Sequence, residues 1–156
     1  MENELTTSEL QKKLEYYCAY QERCHQEVVQ KLWSLGISGP QQDELLVHLI
    51  THNFLNEERF AKAFAGGKFR IKHWGKIKIV QELKSKKISE YCIRKALESE
   101  INEADYKATL LEVLNKKSNL LSETDKFKKN QKLAVYAMGR GFETELVWDC
   151  LNNFFN

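Results

Sequence analysis

The chain has 156 residues, of which 42% are hydrophobic and 29% are charged, and its formal net charge is +2. This balance is typical of a soluble folded protein and argues against a disordered or a membrane-spanning one. No run of about 18 apolar residues is present, which argues against a transmembrane helix, and the acidic first residues, Met1 to Glu4, argue against a signal peptide, so the cytoplasm is the expected compartment.

Apolar residues recur at helical spacing along the chain, as in Leu45, Leu46, Leu49 and Ile50. A single proline and seven glycines leave little of the turn chemistry that a β-sandwich or barrel requires. The pattern predicts an all-α protein with nine helices, over residues 7–21, 24–35, 40–53, 57–73, 75–86, 89–100, 103–120, 125–139 and 143–154.

Helix-start signals support these bounds. Thr6 and Glu9 have the spacing of a capping box, in which each side chain bonds to the backbone N–H of the other residue. Pro40 suits a first helical turn, where its missing N–H costs nothing. Capping residues that precede acidic residues mark four later starts: Asn56, Ser89, Asn102 and Thr124.

Three segments of the chain resemble one another: VVQKLWSLGIS from Val28, IVQELKSKKIS from Ile79 and LAVYAMGRGFE from Leu133. Each is predicted to be the second helix of a three-helix unit, and such a repeat indicates a tandem architecture. We therefore expect an elongated, curved array of three three-helix bundles, with units at residues 1–54, 55–101 and 102–156.

The three repeated helices are predicted to end at Gly36, Lys87 and Gly141. Glycine suits a left-handed residue after a helix, so Lys87 is expected to be strained or to end its helix differently. The pair Gly66 and Gly67 falls inside the fourth helix, where two glycines cost about 2 kcal/mol relative to alanines. We expect that helix to bend or break at the pair.

Charge is unevenly distributed along the chain. Between residues 68 and 95, ten basic residues stand against Glu82 and Glu90, whereas the segments before and after are net acidic. Such a basic band can bind phosphates or an acidic protein surface, although a solvated helix face is the alternative. Phe69 and Trp74 within it could stack on bases, but at helical spacing core packing is the favoured interpretation. The band comprises Lys68, Arg70, Lys72, Lys76, Lys78, Lys84, Lys86, Lys87, Arg94 and Lys95.

Candidate metal and catalytic sites are weak. His48 and His52 are four residues apart on one helix, a spacing that can hold a metal, but Cys18 and Cys24 lack the spacing of known zinc sites. The four cysteines are expected to stay reduced as small apolar residues. No nucleophile, acid–base or phosphate-loop motif is present, so we expect no enzyme activity, no metal and no cofactor.

The segment NFLNEERFAKAF from Asn53 resembles the RecX family, whose motif reads (Tyr/Phe)-Leu-(Asp/Asn)-(Asp/Glu)-x-Arg-Phe-Ala. Seven positions match it: Phe54, Leu55, Asn56, Glu57, Arg59, Phe60 and Ala61. Further matches are Gly75, Ile79, Glu82, Leu83, Lys87 and Ile88, with Lys87 where the family usually has glycine. The resemblance covers residues 14–154 in layout and is specific over 53–96.

The resemblance implies a protein of tandem three-helix repeats that lies along the RecA recombinase filament on single-stranded DNA. It implies a modulator that limits ATPase and strand-exchange activity in recombination, DNA repair and the SOS response, and that makes some direct contact with DNA. We expect the protein itself to be a monomer. For the motif residues we expect mainly structural roles: Phe60 fills the second bundle, and Arg59 ties that bundle to its neighbour.

Two other functions stay open at this level. Residues 28–50 mimic a helix-turn-helix, which suggests a sequence-specific DNA binder or transcriptional regulator. The would-be recognition helix begins Gln41, Gln42, Asp43, Glu44 and has no Lys or Arg, which suits a phosphate-lined groove poorly. A purely structural scaffold is the second rival.

Overall fold

The computed structural model describes residues 5–155. The outer ends of the first and third predicted units, residues 1–4 and 156, lie outside this range, and so does the acidic start of the chain. Within it the structure contains no strand and nine α-helices: α1 (Thr7–Tyr20), α2 (His25–Ser34), α3 (Gly39–Thr51), α4 (Glu57–Arg70), α5 (Lys76–Ser85), α6 (Glu90–Glu100), α7 (Glu103–Leu120), α8 (Lys126–Gly139) and α9 (Thr144–Phe154). The predicted all-α helical repeat is confirmed.

Most of the predicted helix starts carry the expected caps. Thr6 and Glu9 form a full capping box, and the side chains of Asn56, Ser89 and Asn102 each accept a hydrogen bond from the backbone three residues on. The expected cap at Thr124 is wrong by one residue. Asp125 caps α8 instead, because its carboxylate reaches the Lys128 N–H at 3.2 Å.

The expected break at Gly66 and Gly67 is absent, because α4 runs unbroken through both residues. Gly66 is buried where α4 packs on α6, and a Cβ there would lie 3.1 Å from the Glu100 carboxylate. The helix ends three residues earlier than predicted. His73 takes the left-handed conformation, with φ +55°, and the Trp74 N–H returns to the Lys68 carbonyl at 3.1 Å.

The three repeated helices end in the same turn. Gly36, Lys87 and Gly141 have φ values of +78°, +62° and +100°. After each of them, the next N–H donates to a carbonyl five residues earlier, at 2.8 to 3.2 Å. Lys87 therefore adopts the glycine conformation without being glycine, at a cost of about 1 kcal/mol.

The apolar residues form two clusters. We call α1–α3 the first unit, α4–α6 the second and α7–α9 the third; the exact boundaries between them stay a prediction. One cluster belongs to the first unit and includes Leu14, Leu32 and Leu49, together with Leu55 from the following linker. The larger cluster is continuous through the second and third units, and it also takes in Cys24 from the start of α2.

The second and third units meet backbone to backbone. Gly75 donates its N–H to the Arg140 carbonyl at 2.8 Å, and the Ile77 N–H donates to the Gly141 carbonyl at 2.9 Å. Beside this contact the Tyr106 hydroxyl accepts from the Lys76 N–H at 2.9 Å and donates to Glu143 at 2.5 Å. These bonds hold the two units in one relative orientation.

Candidate partner-binding surface

None of the ten residues of the basic band is buried. Two belong to the last turn of α4, one to the α4–α5 loop, five to α5 and the turn that follows it, and two to α6. In that order they are Lys68 and Arg70; Lys72; Lys76, Lys78, Lys84, Lys86 and Lys87; Arg94 and Lys95.

Three lysines of the band gather around two aromatic rings. Phe64 and Trp74 meet edge to face with centroids 6.4 Å apart. The Lys68 ammonium lies 5.4 Å from the Phe64 centroid and 4.9 Å from that of Trp74. Lys78 lies 4.4 Å from the Trp74 centroid, and Lys86 lies 5.9 Å from the Phe64 centroid. We call Phe64, Lys68, Trp74, Lys78 and Lys86 the lysine–aromatic cluster.

The cluster can present fixed positive charge to an anionic partner. A cation over an aromatic face gains about 0.5 to 1 kcal/mol at an exposed site, which restrains long lysine side chains that would otherwise be mobile. Trp74 is half-buried against the larger core. Phe69 is 4% exposed and packs on Tyr106, so it is a core residue and has no free face for a base.

Other members of the band already have acidic partners. Arg70 lies 3.7 Å from the Glu100 carboxylate, and Lys76 lies 2.8 Å from that of Glu103. Lys84 and Arg94 line a shallow groove together with two carboxylates, Glu90 and Glu98. Arg94 and Lys95 flank the Tyr91 ring at 5.7 and 5.6 Å. The folded chain therefore divides the band: Arg70 and Lys76 are in ion pairs, whereas the three lysines of the lysine–aromatic cluster have no carboxylate within 4 Å among residues 5–155.

The residues of the family motif lie mostly inside the second unit or at its start. Phe60, Ala61 and Leu83 belong to the larger core, and Leu55 belongs to the smaller one. The remaining residues have polar roles or are half-buried: Asn56 caps α4, the Glu57 carboxylate accepts from the Ser89 N–H at 2.7 Å, and Phe54 and Glu82 are half-buried. A direct partner contact by these residues stays a prediction.

Arg59 joins the first and second units. Its Nε donates to the Glu22 carboxylate at 2.6 Å, and its terminal nitrogen donates to the carbonyls of Asn53 and Phe54 at 3.0 and 3.3 Å. The other oxygen of Glu22 is buried and has no hydrogen-bond partner within residues 5–155. Glu22 thus depends on Arg59 for its neutralisation.

A cleft beside α2 was not foreseen from the sequence. It measures about 500 Å³ and lies between α2 and the turn from α5 to α6. Trp33 forms part of one wall with 60% of its surface exposed, and Lys86 and Lys87 form part of the other. The available signal was the place of Trp33 off the apolar stripe of α2, whose buried members are Val28 and Leu32.

The histidines and cysteines do not converge on a site. His48 bonds to the Glu15 carboxylate at 2.7 Å, and His52 bonds to the His48 carbonyl at 2.9 Å. All four cysteines are buried and free, and burial raises the pKa of the Cys18 thiol to about 11. Over residues 5–155 no three potential ligands gather closely enough to hold a metal ion, and no helix has the length and apolar character needed to cross a bilayer.

Comparison with known proteins covers most of the chain. Residues 56–97 match the model of the second three-helix domain of RecX, and residues 103–151 match that of the third. The "Regulatory protein RecX" of Chlorobium phaeobacteroides is 30% identical over 134 residues, which cover 86% of this chain and 85% of that protein. The protein of the same name from Clostridium acetobutylicum is 31% identical over 117 residues, and the aligned region spans about half of its length, 54%.

Solved structures share the fold. The crystal structure of RecX from Lactobacillus salivarius superposes with a TM-score of 0.84 at 21% identity, and the superposition covers 96% of each chain. A second crystal structure, of a regulatory protein RecX, superposes with a TM-score of 0.81 at 19% identity and covers 94% of this chain. At these identities the likeness establishes the architecture and leaves the role of individual residues to the chemistry of this chain.

Proposed function

The chain belongs to the RecX family, and from that premise we propose that it binds the filament of a RecA recombinase on single-stranded DNA and restrains its ATPase and strand-exchange activity. The observation that carries the proposal is the tandem array of three-helix units with a positively charged second unit. Its setting is homologous recombination and DNA repair in the cytoplasm, and its working form is a monomer.

The proposed mechanism is occupancy rather than catalysis. An array of three units can contact more than one subunit of a helical filament, and a contact larger than about 1,000 Å² binds firmly without any reacting group. A bound array would resist rearrangement of the subunits that it bridges. It would also compete with an incoming DNA strand for the same groove.

The lysine–aromatic cluster is the proposed contact within the second unit. Lys68, Lys78 and Lys86 have no carboxylate within 4 Å among residues 5–155, unlike Arg70 and Lys76. Their charges are therefore available to an acidic face of the recombinase or to DNA phosphates. Direct contact with DNA through the basic band is part of the proposal.

The testing experiment is ATP hydrolysis by the cognate recombinase on single-stranded DNA, titrated with this protein. We expect inhibition by the wild type and weaker inhibition by a triple variant with Lys68→Glu, Lys78→Glu and Lys86→Glu. The matched control changes Lys126, Lys128 and Lys129 at the start of α8 to glutamate, which alters the net charge equally. An absence of inhibition by the wild type would overturn the proposal, and equal inhibition by both triple variants would remove the cluster from it.

A further inference from the structure

The cleft beside Trp33 lies outside the lysine–aromatic cluster, apart from the shared Lys86. We propose that it binds one nucleotide of a single-stranded nucleic acid, with the base stacked on the Trp33 indole and the neighbouring phosphates held by Lys86 and Lys87. This deepens the proposed function, on whose direct contact with DNA it rests, by naming a subsite for that contact; binding there requires no recombinase. It assigns a ligand class to a site that lies between the first and second units.

Trp33 is oriented as a stacking platform. It is a large apolar side chain with 60% of its surface exposed, in a chain whose buried aromatics pack into the core. Its indole N–H donates to the Gln42 side chain at 2.9 Å, which fixes the ring and satisfies its only polar group. With 60% of the side chain exposed, a base has access to the indole, and base–aromatic stacking is tolerant of base identity.

Lys87 indicates that the opposite wall serves a purpose other than stability. The equivalent turns of the other two units use Gly36 and Gly141, which adopt positive φ without strain. Here the chain places a lysine at φ +62°, and its side chain lines the cleft. Asn53 and His73 also have positive φ, but Lys87 is the one that stands where both other units have glycine. Strained residues cluster at functional sites, and the function that an ammonium can supply at this position is the binding of an anion.

The charges in the cleft favour an anionic ligand. Lys86 and Lys87 have no carboxylate within 4 Å in the part of the chain that the structure describes. Glu57 also lines the cleft, but its Oε1 accepts the Ser89 N–H at 2.7 Å and so is already engaged. The hydrogen bond leaves the charge of Glu57 in place, so two lysines stand against one carboxylate and the balance in the cleft is positive.

The remaining wall has the chemistry of base recognition. Gln26 and Gln30 lie one turn apart on α2, on the same side as Trp33, and all three line the cleft. Their amide groups can both donate to and accept from a base edge. The volume of about 500 Å³ suits a ligand of this size. An acidic peptide could pair with the two lysines, but it would gain less than a base from the glutamine amides and the indole ring that lie beside them.

The positive surface continues from the cleft toward the lysine–aromatic cluster. Lys86 lines both the cleft and the neighbouring depression, where Phe64 and Lys68 also lie. Glu22 and Glu27 line that depression as well, and they are paired with arginines at 2.6 and 3.8 Å. A strand whose base occupies the cleft would thus have its next phosphates close to further lysines.

The test measures tryptophan fluorescence and fluorescence anisotropy of this protein alone with a thymidine oligonucleotide of about ten nucleotides. In a variant with Trp74→Phe and Trp148→Phe, Trp33 is the one remaining tryptophan, and we expect saturable quenching. Trp33→Leu in the wild-type background should weaken binding by roughly tenfold or more. Lys86→Ala and Lys87→Gly should each lower the salt slope of log K by about 0.7. Lys87→Gly keeps the fold intact, since glycine suits this turn.

The outcomes are distinct. Lys126→Ala with Lys128→Ala is the control and should leave affinity close to that of the wild type. Equal binding of an abasic oligonucleotide, or an unchanged affinity of Trp33→Leu, overturns the stacking site. Quenching by a glutamate-rich peptide containing one phenylalanine, with none by the oligonucleotide, overturns it in favour of a protein segment. If the oligonucleotide does not bind at Trp33, inhibition of the recombinase ATPase can still be observed. If the protein does not inhibit the recombinase, its binding to a free single strand can still be measured.

Discussion

Gly75 and Gly141 are in backbone contact across the junction of the second and third units. A Cβ placed on Gly75 would lie 2.2 Å from the carbonyl carbon of Gly141, a distance that no folded protein tolerates without movement of the backbone. This contact lets the Gly75 and Ile77 N–H groups bond to the turn after α8. A Cβ on Gly141 would in turn lie 2.7 Å from the Lys78 backbone nitrogen, so the junction depends on the absence of a side chain at both positions.

Gly75→Ala is expected to destabilise the protein by about 2 to 3 kcal/mol, because the two backbones must separate and lose their hydrogen bonds. Gly139→Ala is the matched control. A Cβ there meets nothing within 4 Å, and the residue is helical, so we expect a gain of about 0.5 to 1 kcal/mol. Urea unfolding of both variants measures the difference. A Gly75→Ala protein as stable as the wild type would contradict this close contact between the units.

Lys87→Gly is expected to raise the free energy of unfolding by about 1 kcal/mol, because glycine adopts positive φ without a Cβ clash. Gly36→Ala provides the reverse change at the equivalent turn. A Cβ added at Gly36 would meet no atom within 4 Å, so the conformational cost acts alone and should lower stability by a similar amount. The two variants should shift the urea midpoint in opposite directions, and a shift in the same direction would contradict the assignment of strain to Lys87.

Tyr106→Phe removes the hydroxyl that links Lys76 and Glu143. Tyr106 is 1% exposed, so the Lys76 N–H loses its acceptor in a place with little access to water. We expect a loss of about 1 to 3 kcal/mol in thermal or urea unfolding. Tyr16→Phe is the control, since that ring is 71% exposed and should tolerate the change within about 0.5 kcal/mol. Equal stability of the two variants would argue against a structural role for the Tyr106 hydroxyl.

The helices were predictable because the signals that define them are local. The bounds of α7 agree at both ends, since Asn102 caps its start and apolar spacing persists to its end. The end of α4 was placed three residues too late, because a histidine in the left-handed conformation leaves no mark in the sequence. The repeat was also predictable from local signals, because each copy of the repeated helix is followed by its own turn.

The surface was less predictable because it depends on contacts between distant segments. The number of basic residues is evident from the sequence, but the pairing of Arg70 with Glu100 and of Lys76 with Glu103 appears only once α6 and α7 are placed. The exposure of Trp33 likewise depends on the distance between α2 and the turn that contains Lys87. Gly75 was identified from the sequence as a match to the family motif. The reason why glycine is needed there is the close approach of Gly141, which lies far away in the chain.

Arg59 and Glu22 should show coupling in a double-mutant cycle. Arg59→Met leaves Glu22 with neither oxygen partnered by a side chain, so it should cost more than Glu22→Gln, and the coupling energy should be about 1 to 2 kcal/mol. The measurement is urea unfolding of the two single variants and the double variant. Lys62 and Glu58 form an exposed pair on α4 at 3.2 Å and serve as the comparison, with an expected coupling below about 0.5 kcal/mol. Additive effects at Arg59 and Glu22 would contradict their role as a link between units.

The stability of the protein should fall between pH 9 and pH 11 in part because of Cys18. Burial raises the pKa of this thiol from 9.0 to about 11, so the unfolded chain releases the proton first and deprotonation favours unfolding over that interval. The stabilisation that the neutral, buried Cys18 thiol gives the folded state is complete below pH 9 and is lost as the pH rises to about 11. The difference in unfolding free energy between the wild type and Cys18→Ala should therefore shrink across this range. A constant difference would contradict the raised pKa.

Cys24 stands at the start of α2, yet it belongs to the core that the second and third units share. During synthesis the first unit leaves the ribosome while the residues that will surround this side chain have not yet been added. We therefore expect α2 to dock last at its N-terminal end, after the downstream helices have formed, although it precedes them in the chain. Cys24 would then be synthesised before the residues that surround it but reach its packed position after they have folded.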